Sequence, residues 1–292
     1  MTVQVRVDEV RDDLAQVQKS ISKLDKSVGP SGAPRRRYRT IWISDVHLGT
    51  RGCNDRLLID FLDHVDSETL YLVGDMIDGW RMKKRYYWPE RHNAIVRRLM
   101  KRAKRGTEVV YIPGNHDEMF RQFAGMNFGG VHIRNKAIHT TADGRRLLIL
   151  HGDEFDTVVM AHKWLAFAGD AAYEFLMKLN VGVDWFRRRF DMPYWSLSKH
   201  AKSKVKNAVE FISRFEEVVA HEARSKKVDG VVCGHIHTAE VRHYGDIVYY
   251  NDGDWVEGCT ALVEHFDGRM EILHWAEEIA ARSRTPALQA AA

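Results

Sequence analysis

Five clusters of metal-competent side chains recur along this chain, each directly behind an apolar run: Asp45-Val46-His47, Gly74-Asp75-Met76-Ile77-Asp78, Gly114-Asn115-His116-Asp117, His151-Gly152-Asp153 and Gly234-His235-Ile236-His237. Their donors are carboxylates, imidazoles and one amide oxygen, with no thiolate. That set suits Mn²⁺ first, or Fe or Zn²⁺, at a catalytic site rather than a cysteine-rich structural zinc. The seven candidate ligands Asp45, His47, Asp75, Asn115, His151, His235 and His237 exceed what one catalytic metal takes while keeping a place for water. With one carboxylate shared they suit two divalent metals about 3.5–4 Å apart. In an extended backbone residues two apart point to the same side. Asp45 with His47, and His235 with His237, are therefore each expected to present two ligands from one strand end. A lone His such as His64 or His221 is read as an ordinary surface or core residue, and an Asp behind a strand is commonly a helix cap. The ordered recurrence is what marks a site.

The elements that must hold these clusters alternate in type. Residues 40–44, 69–73, 108–112 and 146–150 read as buried strands, the last preceded by a turn at Asp143-Gly144, and 90–105 reads as a basic helix. Strand runs resume at 229–233, 247–250 and 261–264. Strand–helix alternation of this kind predicts an α/β domain over 39–282. Residues 157–227, helical in period and aromatic, form an insertion between its two halves. Glycines 74, 114, 152 and 234 suit sharp turns at the carboxyl ends of the strands, where open α/β sheets bind ligands. Ahead of the domain, Val3, Val7, Val10, Leu14, Val17, Ile21, Leu24 and Val28 keep heptad spacing over 1–28. This pattern fits a short coiled coil that self-associates or a single amphipathic helix. Residues 29–38 read as a linker, and 283–292 as a disordered tail.

Composition narrows the setting. A formal net charge of +4 over 292 residues does not call for a nucleic-acid partner. Three cysteines without CxxC spacing argue against a disulfide framework. With no apolar leader core and no stretch long enough to span a bilayer, the expected location is the cytoplasm, with peripheral contact to the inner membrane left open.

Asp-x-His, Gly-Asp-x-x-Asp, Gly-Asn-His-Asp, His-Gly-Asp and Gly-His-x-His, in this order over about residues 40–265, resemble the calcineurin-like metallophosphoesterase superfamily. The resemblance implies two packed mixed β-sheets flanked by helices. It implies that Asp45, His47, Asp75 and His237 hold one metal and Asp75, Asn115, His151 and His235 the other, with Asp75 bridging. His116 resembles the superfamily's catalytic histidine, and Asp78 its orienting partner. The implied reaction is in-line attack on phosphorus by an activated water, without a covalent enzyme intermediate.

Within that superfamily the Asp-Val-His-Leu-Gly opening, Gly-Asp-x-x-Asp and the insertion behind His-Gly-Asp resemble the bacterial UDP-2,3-diacylglucosamine hydrolases. This resemblance implies a lipid-linked nucleotide cleaved to UMP and a lipid phosphate, with the insertion capping the metals. One departure is that many members of that family carry Arg at the position of His116. A soluble nucleotide phosphodiesterase, phosphatase or nuclease of the same superfamily is the alternative. Arg81, Tyr87 and Trp88 behind Asp78, and Arg187 and Arg188 in the insertion, are the candidate substrate contacts. The arginines could equally meet an anionic membrane surface.

Overall fold

The computed structural model describes residues 35–156 and 212–289, with side chains as far as Arg282. The heptad segment 1–28, most of the insertion, and Arg187 and Arg188 lie outside the described residues.

Strand β1 (Arg36–Ile43) leads through helix α1 (Asp55–His64) to β2 (Val65–Val73), then helices α2 (Gly79–Lys84) and α3 (Glu90–Lys104) and strand β3 (Glu108–Ile112). Short strands β4 (Asn127–Phe128) and β5 (Val131–Ile133) precede the hairpin β6 (Ala137–Thr140) and β7 (Arg146–Ile149). Behind the insertion come helix α4 (residues 212–225), β8 (Gly230–Cys233), β9 (Glu240–Tyr244), β10 (Ile247–Asn251), β11 (Thr260–Glu264), β12 (Met270–His274) and helix α5 (Trp275–Gln289).

The strands form two mixed sheets, as expected. One has seven strands in the order β12-β11-β1-β2-β3-β5-β4, the other five in the order β6-β7-β8-β10-β9. Strands β1, β2, β3 and β5 run parallel in the first, and β7, β8 and β10 in the second, with antiparallel strands at the edges. Apart from the short, half-buried β5, the parallel strands are covered on both faces, which is why they read as unbroken apolar runs. Alternation along each strand divides its side chains between two layers. Trp42, Tyr71, Val73, Val110 and Ile112 face the second sheet and meet Leu147, Ile149, Val232 and Tyr250 there. Their neighbours Ile41, Ile43, Leu70, Leu72, Val109 and Tyr111 face outward to a core shared with Leu58 and Phe61 of α1, Ile95 and Leu99 of α3, and Trp275. Helix α4 covers the outer face of the second sheet through Phe215, Val219, Ala220 and Ala223. The layers are therefore helix, sheet, sheet, helix, and every parallel strand delivers its carboxyl end to one rim.

Two boundaries differ from expectation. Strand β1 begins at Arg36, inside the expected linker, because Tyr38 is a core residue and Arg36 pairs with Glu278 of α5 at 2.7 Å. The expected disordered tail is helical as far as Gln289. The three cysteines are buried free thiols, and among the described residues no helix is long and apolar enough to cross a membrane.

Candidate metal centre

The loops behind β1 and β2 are zipped together by backbone bonds from Asp45 N to the Gly74 carbonyl (3.1 Å), His47 N to the Asp75 carbonyl (2.8 Å) and Leu48 N to the Met76 carbonyl (2.9 Å). Asp117 fastens the β3 loop to them. Buried and fully engaged, its carboxylate accepts from the backbone N–H of Gly114, Met76 and Ile77 and from the Tyr111 hydroxyl. The Asp of Gly-Asn-His-Asp is thus a staple that registers the β2 and β3 loops.

Five candidate ligands take left-handed backbone conformations: Asp45 (φ 50°), His47 (φ 51°), Asp75 (φ 52°), His235 (φ 70°) and His237 (φ 54°). This corrects the expectation of extended strand ends. Asp45 and His47 converge because each sits in a left-handed turn, not because strand alternation aligns them. Such conformations are uncommon for residues with a Cβ and persist where surrounding contacts impose them, typically at functional sites.

The turns bring the clusters to one point. Asp45 Oδ1 lies 3.2 Å from His237 Nε2 and 3.9 Å from His47 Nε2. Asp75 Oδ2 lies 3.5 Å from His151 Nε2 and 3.9 Å from His47 Nε2, placing Asp75 between the two groups. Three sets of donor atoms fall within 4.8 Å of one another: Asp45, His47 and His237; Asp45, Asp75 and His151; and His47, Asp75 and His116. Asp45 Oδ1, His47 Nε2, Asn115 Oδ1 and His151 Nε2 are buried without hydrogen-bond partners. Buried polar atoms are costly when unpaired, and four unpaired ligand atoms, two of them imidazole nitrogens within 3.9 Å of the Asp45 and Asp75 carboxylates, fit divalent cations. Space is kept for them as well. A Cβ at Gly114 would stand 2.3 Å from Asp75 Oδ1 and 2.6 Å from His151 Nε2, and one at Gly234 would stand 2.4 Å from Asp45 Oδ2.

Without a cation, protons balance the charge. Burial opposes the imidazolium of His151, yet Asp75 and Asp45 outweigh it and lift the ring to about 10. The carboxylates of Asp254 and Asp45 likewise hold His237 at about 10. Asp75, despite burial, is held well below the usual carboxylate range by His151, the His116 backbone N–H and His47.

His235 joins from the side, its ring 5.1 Å from that of His151. It stands outside the three compact sets, with Nε2 2.8 Å from Asp156 Oδ1. His116 is placed by three neighbours. Its backbone N–H donates to Asp75 Oδ1 (2.9 Å), its Nδ1 lies 3.1 Å from Asp78 Oδ1, and the Trp80 ring packs 4.4 Å away. Its Nε2 then reaches to 4.0 Å from Asp75 Oδ2. Asp78 contacts more than was expected of it, since its other oxygen lies 3.3 Å from His47 Nδ1 and its Oδ1 also caps α2 by accepting from Arg81 N.

Of the candidate substrate contacts, Arg81 is exposed. Trp88 packs partly against the core and donates its indole N–H to Asn93 Oδ1 (2.8 Å), which makes it a packing residue. Tyr87 lies under the Arg51 guanidinium and beside His92. An aromatic that does reach the site is Trp80, 43% exposed, whose signal was its place two residues behind Asp78. Asp254 was also missed, although Asn251-Asp252-Gly253-Asp254 ends β10 in the same manner as the other clusters. Its Oδ2 lies 3.5 Å from His237 Nδ1, and its Oδ1 accepts from the N–H groups of Val256, Glu257 and Gly258.

The model of the calcineurin-like phosphoesterase family matches residues 38–239. A UDP-2,3-diacylglucosamine hydrolase of Chromohalobacter salexigens is 25% identical over 170 residues, which are 56% of this chain and 62% of that protein. The match thus spans less than two thirds of that relative. Among solved structures, wild-type Vps29 from Entamoeba histolytica complexed with zinc is similar at 13% identity and a TM-score of 0.40, covering 81% of this chain and 98% of that one. The E. coli phosphoesterase Yfce is similar at 14% identity and a TM-score of 0.39, covering 80% and 98%.

Proposed function

The chain belongs to the calcineurin-like phosphoesterases, and from that premise we propose that it hydrolyses a phosphate anhydride or ester at a dinuclear centre held by Asp45, His47, Asp75, Asn115, His151, His235 and His237. The observation that carries the reading is the convergence of the unpartnered, buried His47 and His151 Nε2 atoms on the Asp45 and Asp75 carboxylates, with Asp45 Oδ1 itself unpartnered. The divalent cations those residues would hold, Mn²⁺ first, would lower the pKa of a water molecule and screen the phosphate charge.

The chain's own residues do the rest. Asp75 stands between the two ligand groups and sets their separation. Asp78 and Asp254 hold the Nδ1 sides of His47 and His237, so that both rings face inward through Nε2. His116, held by Asp78 and Trp80 with Nε2 toward Asp75, is placed to steady charge on the phosphate and pass a proton to the departing oxygen.

The substrate we propose is a lipid-linked nucleotide like UDP-2,3-diacylglucosamine, after the motifs shared with those hydrolases and the relative of that name. Water adds to one phosphorus of the diphosphate and the bridging P–O bond breaks, giving UMP and a lipid phosphate. Contact with a membrane and self-association through 1–28 belong to the same proposal. Hydrolysis of a bis-aryl phosphate with Mn²⁺ should vanish in His47→Ala and Asp75→Asn protein, and undiminished turnover in either would sink the assignment. Incubation with UDP-2,3-diacylglucosamine should release UMP. Bis-aryl phosphate turnover without UMP would favour a soluble nucleotide ester instead.

A further inference from the structure

In three of the four candidate ligand histidines the ring is held from its Nδ1 side. His47 Nδ1 lies 3.3 Å from Asp78 Oδ2, His151 Nδ1 donates to the Val73 carbonyl at 2.9 Å, and His237 Nδ1 lies 3.5 Å from Asp254 Oδ2. Each therefore presents Nε2 to the centre. His235 is turned the other way. Its Nε2 is engaged by Asp156 Oδ1 at 2.8 Å, and no hydrogen bond among the described residues engages its Nδ1. A neutral imidazole carries one N–H and one lone pair, so a ring that donates through Nε2 offers its lone pair at Nδ1.

We infer that Asp156 is a positioning residue that fixes His235 in the Nδ1-ligating form, opposite to the other three histidines. The inference rests on the dinuclear reading above. The surroundings of His235 are built for one ring orientation. Its backbone is left-handed (φ 70°) and its N–H donates to Asp45 Oδ2 at 2.9 Å. The ring packs 5.1 Å from that of His151 and 5.8 Å from that of Phe215 on α4. Phe215 comes this close because residue 152 is glycine, where a Cβ would stand 2.7 Å from Phe215 Cζ. With His151 and Phe215 against the ring and Asp156 on Nε2, rotation that exchanged the two nitrogens would strip the ring of its acceptor. Orientation of a ligand imidazole by a carboxylate on its far nitrogen typically carries about 10–100-fold in metal affinity.

The test uses the full chain loaded with Zn²⁺, which is diamagnetic and permits ¹⁵N NMR of the imidazoles. In the wild type, His235 should show a metal-bound Nδ1 and a protonated Nε2, and His47, His151 and His237 the reverse. Calorimetric titration of Asp156→Ala with Zn²⁺ should show about 10–100-fold weaker binding of one of two equivalents. Asp156→Asn keeps an acceptor oxygen for the Nε2 proton and should stay near the wild type, an outcome that a mere loss of fold would not produce. A wild-type His235 bound through Nε2, or Asp156→Ala binding both ions as tightly as the wild type, overturns the inference. Wild-type protein that binds fewer than two ions overturns the dinuclear reading itself, which is a separate result.

Discussion

Gly114→Ala is the smallest change that enters the centre. Gly114 has no left-handed φ, so alanine brings no backbone strain there and its effect is that of the added methyl alone. The new Cβ would stand 2.3 Å from Asp75 Oδ1 and 2.6 Å from His151 Nε2. Ordinary van der Waals contact begins near 3.4 Å, so both side chains must retreat by about 1 Å. A metal–ligand distance tolerates only about 0.2 Å, and a misplacement of about 1 Å near the chemistry can cost ~10²-fold in rate. We expect turnover of a bis-aryl phosphate to fall by about 10²-fold and the bound metal, read by elemental analysis after gel filtration, to drop below two equivalents. Overpacking of this kind costs about 1–3 kcal/mol, less than the stability of a typical domain, so the variant should remain folded by circular dichroism. Gly144→Ala is the control. That turn is left-handed (φ 88°) with nothing within 4 Å of the added atom, so it should lose about 1–2 kcal/mol and no metal. Gly114→Ala protein that retains two equivalents and wild-type turnover would refute the placement of cations between Asp75 and His151.

Trp80→Ala should leave metal content unchanged and slow turnover by roughly 2–10-fold, the value of one aromatic packing contact, here with His116. Because His151 and His237 stand near 10 in the metal-free protein, metal binding at pH 7 must expel protons, and apparent affinity should rise with pH up to about 10. Calorimetry in buffers of different ionisation enthalpy measures that release. The same raised rings stabilise the metal-free fold fully below their unfolded value of 6.5 and lose that contribution as pH rises through about 10. Glu264→Ala removes a buried carboxylate that accepts from Arg39, Thr40 and the Ala142 N–H and pairs with His139. It should cost about 3–5 kcal/mol in urea denaturation, because Arg39 and His139 lose their partner. Burial would raise the Glu264 carboxyl, but bonds from His139, Ala142 and Thr40 win and hold it below its ordinary value of 4.5. Its contribution is therefore present above that value and fades as pH falls through the lowered one.

How much of this was legible in the sequence follows from how each element is buried. Strands β1, β2, β3, β7 and β8 sit inside their sheets with both faces covered, and such strands announce themselves as apolar runs with a ligand cluster behind each. The edge strands do not. Strand β9 exposes Val241, Arg242 and His243, and β4 is two exposed residues, so neither carries a pattern that composition can register. Helix α1 was missed because its apolar residues Leu57, Leu58, Ile59, Phe61 and Leu62 bunch together and one of its charges, Asp55, is itself buried, so the sequence shows no clean polar face.

The candidate ligands were legible by type and order, but not by geometry. Asp45 and His47 do meet as strand alternation suggested, but for another physical reason. These two, like His235 and His237, sit in left-handed turns at residues that carry a Cβ, a conformation local propensity disfavours and therefore never suggests. What holds those turns lies far away in sequence: the carboxylate of Asp117 registering the β2 and β3 loops, and Asp45 Oδ2 receiving the N–H of His235 from 190 residues along the chain. Asp45 thus does two things at once. One oxygen is spent on backbone that shapes the opposite ligand loop, and the other is left bare toward His237 and His47. A centre built this way is preorganised, because each carboxylate that faces the metals is already anchored by its second oxygen, as Asp75 is by the His116 N–H. Local pattern identifies such residues, and only the tertiary bonds between loops aim them.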